Sequence, residues 1–310
     1  MTPLEIAVVA TGGTIACEKD DAGALVPRRL ATQLIQQAQI DVPFRPVDIR
    51  SLDSSAMTLA DIDDLVATVH EQLADPKITG VVVTHGTDSM VDTALALDLF
   101  HTDSRPVVLT GAQYAADAPS PDGPENLRTA FDYIAGGGDS EQGVVIAFGG
   151  EILPARGLVK ADTHALDAFR PTYPDVASAP KRPTPLSPVA LAALNIPIVA
   201  GWAGAGPDIL DAVIQMHPDG VVVEGMGSGN VSEQMGHAIK RALAAGIPVV
   251  LTTVVPHGKV EFVYGGAGGG ATLGEMGVIP GGWLRASQAR IALALSLIHI
   301  SEPTRLLSIS

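Results

Sequence analysis

Two threonines stand where a hydroxyl could do chemistry. Thr14 lies in Ala10-Thr11-Gly12-Gly13-Thr14-Ile15 and Thr87 in His85-Gly86-Thr87-Asp88, about 70 residues apart, each directly after a short apolar run. A threonine hydroxyl is a weak nucleophile and needs a base within hydrogen-bond reach. Asp88 supplies a carboxylate beside Thr87, or else caps the helical pattern that comes next. His85 is a candidate general base, or a packed histidine at a strand end. Around Thr14, two glycines let the backbone bend sharply and bring amide groups close to a ligand. The alternative is a plain tight turn in which Thr14 caps the next element. Cys17 is the sole cysteine, which excludes an internal disulfide framework. With no Cys-His pattern around it, it reads as a small packed thiol.

The elements that must position these residues are short and apolar on every side. Runs at 6–10, 80–84, 106–110, 143–148, 196–200, 220–223 and 247–252 suit strands covered on both faces. Between them lie helical patterns, clearest at Leu59–Leu73, where Thr58 and Asp61 form an acidic variant of the capping pair, and again at 207–215 and 232–245. The alternation predicts an α/β fold with mostly parallel sheets. Four prolines in 177–188 mark a linker. The expected organisation is a larger N-terminal parallel-sheet domain (1–180), a linker (181–195) and a smaller C-terminal α/β domain (196–310). The glycine patch 265–270 reads as a flexible surface loop, since no Lys-Ser/Thr comes after it as in a phosphate cradle. In such open sheets ligands bind beyond the carboxyl ends of the strands, where both threonine motifs fall.

Composition narrows the partners. Of 310 residues 46% are hydrophobic and 17% charged, enough for a large core. A net charge of −15 repels nucleic acid and anionic membrane alike, so neither is expected. The N-terminus has no basic region and no long apolar stretch, and a cytoplasmic protein is the expectation.

Taken together, the ATGGTI and HGTD stretches resemble the two recognition motifs of the bacterial-type L-asparaginases. The resemblance extends to Thr110-Gly111-Ala112, to Ser120-Pro121-Asp122-Gly123-Pro124 with Asn126-Leu127, to Gly157-Leu158-Val159-Lys160 and to Gly227-Ser228-Gly229-Asn230. It spans about residues 5–295. It implies an amidohydrolase that converts L-asparagine, and L-glutamine less well, to the acid and ammonia with no cofactor and no metal. Thr14 matches the family's nucleophile, and Thr87, Asp88 and Lys160 its second catalytic group, an arrangement like Ser-His-Asp with lysine as base. Ser54 and Ser55 match the position that holds the substrate α-carboxylate, and Asp88 would hold the α-ammonium. The backbone at Ala112 would help bind the amide oxygen. Asn230 would reach a neighbouring subunit's site, because the family's sites lie between protomers of a homotetramer, a dimer of dimers.

The chain also departs from that pattern. No tyrosine occurs in 17–26, where many members carry one, and the first is Tyr114. Gln113-Tyr114 stands where the family often has Met-Arg, and Ser89 replaces a threonine. Glu261 and Glu275 are both near the region of the family's neighbour-subunit glutamate, and neither aligns cleanly. A helix is read as starting at residues 291–295, and the segment 296–310 reads as translated sequencing-adaptor rather than native chain. Two other readings stand beside the hydrolase. One is the asparaginase-like subunit of a tRNA-dependent amidotransferase, which usually carries an added N-terminal domain. The other is a non-catalytic amino-acid-binding protein of the same fold. A dinucleotide-binding protein is disfavoured, because Thr11-Gly12-Gly13 lacks the third spaced glycine and the acidic residue beyond it.

Overall fold

The computed structural model describes residues 4–298, so of the segment 296–310, residues 299–310 lie outside the described residues. Two compact units divide the chain. Of the described residues, the first holds 4–155 together with Lys160–Arg170 and Thr184–Pro188; the second holds Arg156–Val159, Pro171–Pro183 and 189–298.

In the first unit, β1 (Glu5–Gly12) is followed by a small antiparallel hairpin, β2 (Cys17–Lys19) and β3 (Leu25–Pro27), and then by α1 (Ala31–Gln37) and β4 (Phe44–Leu52). Next come α2 (Leu59–Leu73), β5 (Ile78–Thr84), α3 (Met90–Phe100), β6 (Val107–Thr110), α4 (Gly123–Ala135), β7 (Val145–Phe148) and β8 (Glu151–Pro154). Two short strands, β9 (Leu158–Lys160) and β10 (Phe169–Pro171), pair in a sheet of their own, of which Leu158, Val159 and Pro171 are counted with the second unit. The main sheet runs β4-β1-β5-β6-β7-β8, parallel throughout except for β8, which returns antiparallel to β7.

Residue chemistry accounts for this arrangement. Strands β6 and β7 are buried at every position, β5 at all but Thr79 and β1 at all but Glu5, as expected where helices cover both faces. Leu34 and Ile35 of α1 and Leu127, Phe131 and Ile134 of α4 pack on Val8, Val82, Val108 and Val145. Helix α2 buries Ile62, Leu65, Val66 and Val69 at helical spacing and starts at the expected capping box, Asp61 N–H donating to Thr58 and Thr58 N–H to the Asp61 carboxylate. The chain leaves β1 for β4 on one side and crosses to β5 on the other, so the strand order reverses between β1 and β5. The crevice expected in such sheets lies at their carboxyl ends, the usual ligand position.

The second unit contains β11 (Ile198–Ala200), α5 (Asp208–Gln215), β12 (Val221–Gly225), α6 (Glu233–Ala244), β13 (Val249–Thr253), α7 (Gly270–Glu275), β14 (Ile279–Pro280) and α8 (Ala286–Ile298). Its parallel sheet has the order β11-β12-β13-β14, with Val199, Val221, Val223, Val249 and Leu251 packed against Met235 and Ile239 of α6. The α/β class, with a larger parallel-sheet unit and a smaller α/β unit, is the one read from the sequence.

Two local expectations are corrected. The glycine patch is a surface loop only in its first half: Gly265 and Gly266 are exposed, but Gly268, Gly269 and Gly270 are buried, and Val231 N–H donates to Gly268 O at 2.9 Å. Small residues are needed there because a Cβ on Gly236 or Gly268 would overlap the facing backbone. Helix α8 begins at Ala286, five residues before the expected start, and packs on β11, β12 and β13. Among the described residues no helix is long and apolar enough to cross a membrane.

Candidate active site

The crevice is built by three loops in backbone contact. Thr11 at the end of β1 donates its hydroxyl to Thr84 O at the end of β5, 3.0 Å away. Gly12 and Gly13 both take positive φ, 106° and 77°, which glycine adopts without a Cβ clash. A Cβ on Gly12 would overlap Leu52 O at the end of β4, and one on Gly13 would overlap Gly86 Cα and N after β5. Gly86 in turn abuts the Ser54 side chain. The glycines of both motifs are therefore what lets Thr14, Ser54 and Thr87 gather at one end of the sheet.

Thr87, Asp88 and Lys160 come together. Lys160 Nζ donates to Thr87 Oγ1 at 2.8 Å and to Asp88 Oδ1 at 2.7 Å. Thr87 is 5% exposed, and the Lys160 and Asp88 side chains 22% and 55%. The N-cap of α3 is Ser89, so the Asp88 carboxylate serves the lysine rather than the helix. Lys160 ends the short strand β9, and its hairpin carries it to the end of β5.

Thr14 opens a single 3-10 turn, Thr14–Ala16, whose cap is Gly13. Its half-buried hydroxyl makes no hydrogen bond among the described residues, so the capping alternative does not apply. The N–H groups of Thr14, Thr87 and Ala112 are likewise unpaired among the described residues. Unpaired donors at strand ends are the kind of group that stabilises developing negative charge. The hairpin after Thr14 is held by the Asp20 carboxylate, which accepts from Ala22 and Ala24 N–H, and by Lys19 N–H donating to Asp117.

Ser54 is buried, accepts Asp88 N–H on its hydroxyl at 3.1 Å and accepts the Ser89 hydroxyl on its carbonyl at 2.8 Å. Ser55, its neighbour, is exposed and makes no hydrogen bond among the described residues. Ala112 comes after β6 in a turn clamped by Asp122, whose two carboxylate oxygens accept Gln113 N–H and Tyr114 N–H at 2.9 and 2.8 Å. Asn230 lies in the second unit, in the turn after β12, where its Oδ1 accepts Gly270 N–H at 3.2 Å. Glu261 and Glu275 are exposed in that unit. Among the described residues no group of three or more His, Cys, Asp and Glu side chains is placed to hold a metal.

Two sequence candidates resolve as packed residues. Cys17 is buried with its thiol on Gly13 O at 3.3 Å, and burial, with Asp53 and Asp117 nearby, raises its pKa to about 11. His85 is wholly buried, its Nδ1 2.7 Å from Gly86 O and its Nε2 3.0 Å from Met57 Sδ. Desolvation lowers its pKa to about 4. An unfolded histidine titrates near 6.5, so below that pH the unfolded chain gains a proton that the native chain refuses until about 4. Stability is therefore expected to fall by about 3 kcal/mol as pH drops from about 6.5 to about 4. Urea midpoints across that window should show the slope in wild type and a shallower one in His85→Gln. Equal slopes would contradict it.

Known proteins share this outline. The chain matches the family description "Asparaginase, N-terminal" over residues 5–185 and "Glutaminase/Asparaginase C-terminal domain" over residues 195–307. A probable L-asparaginase of Deinococcus radiodurans is 36% identical, the alignment covering 94% of this chain and 92% of that protein. A glutamyl-tRNA(Gln) amidotransferase subunit of Methanopyrus kandleri is 35% identical over 89% of this chain and 66% of its own length. The structure of the thermostable L-asparaginase from Thermococcus kodakarensis superposes with a TM-score of 0.84 at 28% identity, covering 99% of this chain and 96% of that one.

Proposed function

The chain belongs to the asparaginase family, and on that premise we propose that it hydrolyses the side-chain amide of L-asparagine to L-aspartate and ammonia through Thr14 and Thr87. The observation that carries the reading is Lys160 Nζ held between Thr87 Oγ1 and Asp88 Oδ1 at the switch point of the sheet. Thr14, with its hydroxyl unspent, attacks the amide carbon; its proton goes to the leaving nitrogen and the carbonyl oxygen gains charge beside the unpaired strand-end amides. Ammonia departs, leaving an ester on Thr14. Water then attacks the ester carbon, and Thr87 and Lys160 take its proton and return it to Thr14 Oγ1 as the ester bond breaks and aspartate leaves. Ser54 takes the α-carboxylate and Asp88 the α-ammonium. Of the two serines expected to bind substrate, Ser54 is the one tied to the Thr87 loop, and Ser55 is given no role.

Ammonia release from free L-asparagine tests this. Thr14→Ala and Thr87→Val should each lower kcat by on the order of 10³. A wild type that releases none at any pH or substrate load would overturn the enzyme reading, and stabilisation by aspartate without turnover would favour a binding protein. Release that appears only with a tRNA-dependent partner enzyme would instead favour the amidotransferase subunit, the relation suggested by the Methanopyrus protein.

The proposal extends to an oligomer in which Asn230 completes a neighbouring protomer's site, expected to be a tetramer. Its Oδ1 is spent on Gly270, leaving the amide nitrogen as the group to offer. Sedimentation equilibrium decides it: a monomer at assay concentration with full activity removes Asn230 from the mechanism.

A further inference from the structure

The Asp122–Asn126 segment stands out as a motif in the sequence, but its work lies in the groups it holds. Asn126, 2% exposed on the first turn of α4, uses its side-chain amide in two directions. Nδ2 donates to Gly111 O at 3.0 Å and to Asp122 Oδ2 at 3.3 Å, and Oδ1 accepts Gly149 N–H at 3.0 Å. Gly149, at φ 60°, presses against the turn after Lys160: a Cβ there would stand 2.6 Å from Leu166 O and 2.9 Å from Asp167 Cα. That turn is closed by Ala161 N–H on Ala168 O at 2.8 Å, and its tip carbonyl, Ala165 O, accepts Gln113 Nε2 at 2.9 Å.

The contacts form a ring. From Ala112 it runs through Gln113 to Ala165, back along the turn toward Lys160, and home through Gly149, Asn126 and Gly111. Ala112 itself is 1% exposed, yet neither its N–H nor its C=O is hydrogen-bonded among the described residues. A buried unpaired peptide is costly, and here the residues on both sides are held, Gly111 by Asn126 and Gln113 by Asp122. A peptide kept unpaired by such anchoring is placed to receive a polar ligand group.

We infer that Asn126 is a positioning residue which sets the Ala112 peptide against the Lys160 ammonium, so that the amide being cleaved and the proton-carrying lysine stay in register. This rests on the amidohydrolase reading. The α-carboxylate and α-ammonium contacts are assigned to Ser54 and Asp88, which Asn126 does not touch, so most of the aspartate affinity should survive its replacement.

The test uses the whole chain. Asn126→Asp keeps the shape but sets a carboxylate oxygen against both Gly111 O and Asp122 Oδ2, contacts satisfied only when that carboxyl is protonated. Its kcat is expected to fall on the order of 10²-fold near neutral pH, with aspartate Kd within about twofold of wild type. The deficit should shrink as pH is lowered, whereas Asn126→Ala should show the loss without that recovery. Unchanged kcat, a parallel loss of aspartate binding, or a deficit that does not respond to pH overturns the inference. If neither variant folds, Gln113→Leu carries the test by cutting only the tip contact: kcat should fall about tenfold with aspartate Kd unchanged, and an unaltered kcat overturns it. A wild type without ammonia release sinks the enzyme reading and this inference with it. An active wild type with unaffected variants sinks the inference alone.

Discussion

Lys160→Met is expected to lower kcat for ammonia release by on the order of 10³ while the chain stays folded and still binds aspartate. The lysine reaches Thr87 Oγ1 at 2.8 Å and Asp88 Oδ1 at 2.7 Å, and methionine removes both contacts while keeping much of the apolar stem. With side chains 22% and 55% exposed, the ion pair contributes little to stability, so the loss falls on chemistry. Lys160→Arg sharpens the point. It keeps the charge and a partner for Asp88, but a planar guanidinium does not give up its proton. If the group works by moving a proton, arginine is as poor as methionine; if only charge matters, arginine retains substantial activity. Steady-state kinetics with calorimetric binding of aspartate separate the cases. A methionine variant within about tenfold of wild type would remove Lys160 from the mechanism.

The two threonines could be seen in the sequence because parallel strands covered on both faces must be apolar throughout. Polar residues that end such a run stand out, and the switch-point rule then puts them in one crevice. Strand β4 could not be seen in the same way. It is an edge strand paired only with β1, so its positions are exposed or half-buried, and Pro46, opposite Val8, is tolerated where a central strand would exclude it. Lys160 had no local mark either. A lysine ending a three-residue strand looks like any surface lysine, and only the resemblance singled it out. His85 carried two readings until burial against Met57, 28 residues upstream, decided for packing. Asp122 and Asn126 sat in a recognised motif, but the carbonyl and amides they hold are brought to them by tertiary structure. The sheet's surroundings are thus written in composition, whereas the partners of its polar groups are written in the fold.

Gly13→Ala is expected to be among the most damaging additions of one methyl group in the first unit. Gly13 sits at φ 77° and ψ 177°, a region essentially closed to residues with a Cβ and worth about 1–3 kcal/mol for alanine. The methyl would also overlap Gly86 Cα and N, backbone atoms that cannot rotate aside, and Gly86 has the Ser54 side chain on its other flank. Overpacking of this kind adds about 1–3 kcal/mol. Together about 2–6 kcal/mol is set against a typical stability of about 5–15 kcal/mol, a loss that at its upper end leaves the chain marginally folded. Where it folds, it does so by spreading the ends of β1 and β5, which separates Thr14 from Thr87 and abolishes activity before stability is lost. Gly23→Ala provides the control. Gly23 also has a positive φ, 83°, but no atom lies within 4 Å of its Cβ position, so only the backbone cost of about 1 kcal/mol applies. Urea midpoints and ammonia release for the two variants should therefore diverge sharply. Equal shifts would show that the close approach of Gly13 to Gly86 is not what holds the threonines together, and the explanation given for the glycines of both motifs would fail.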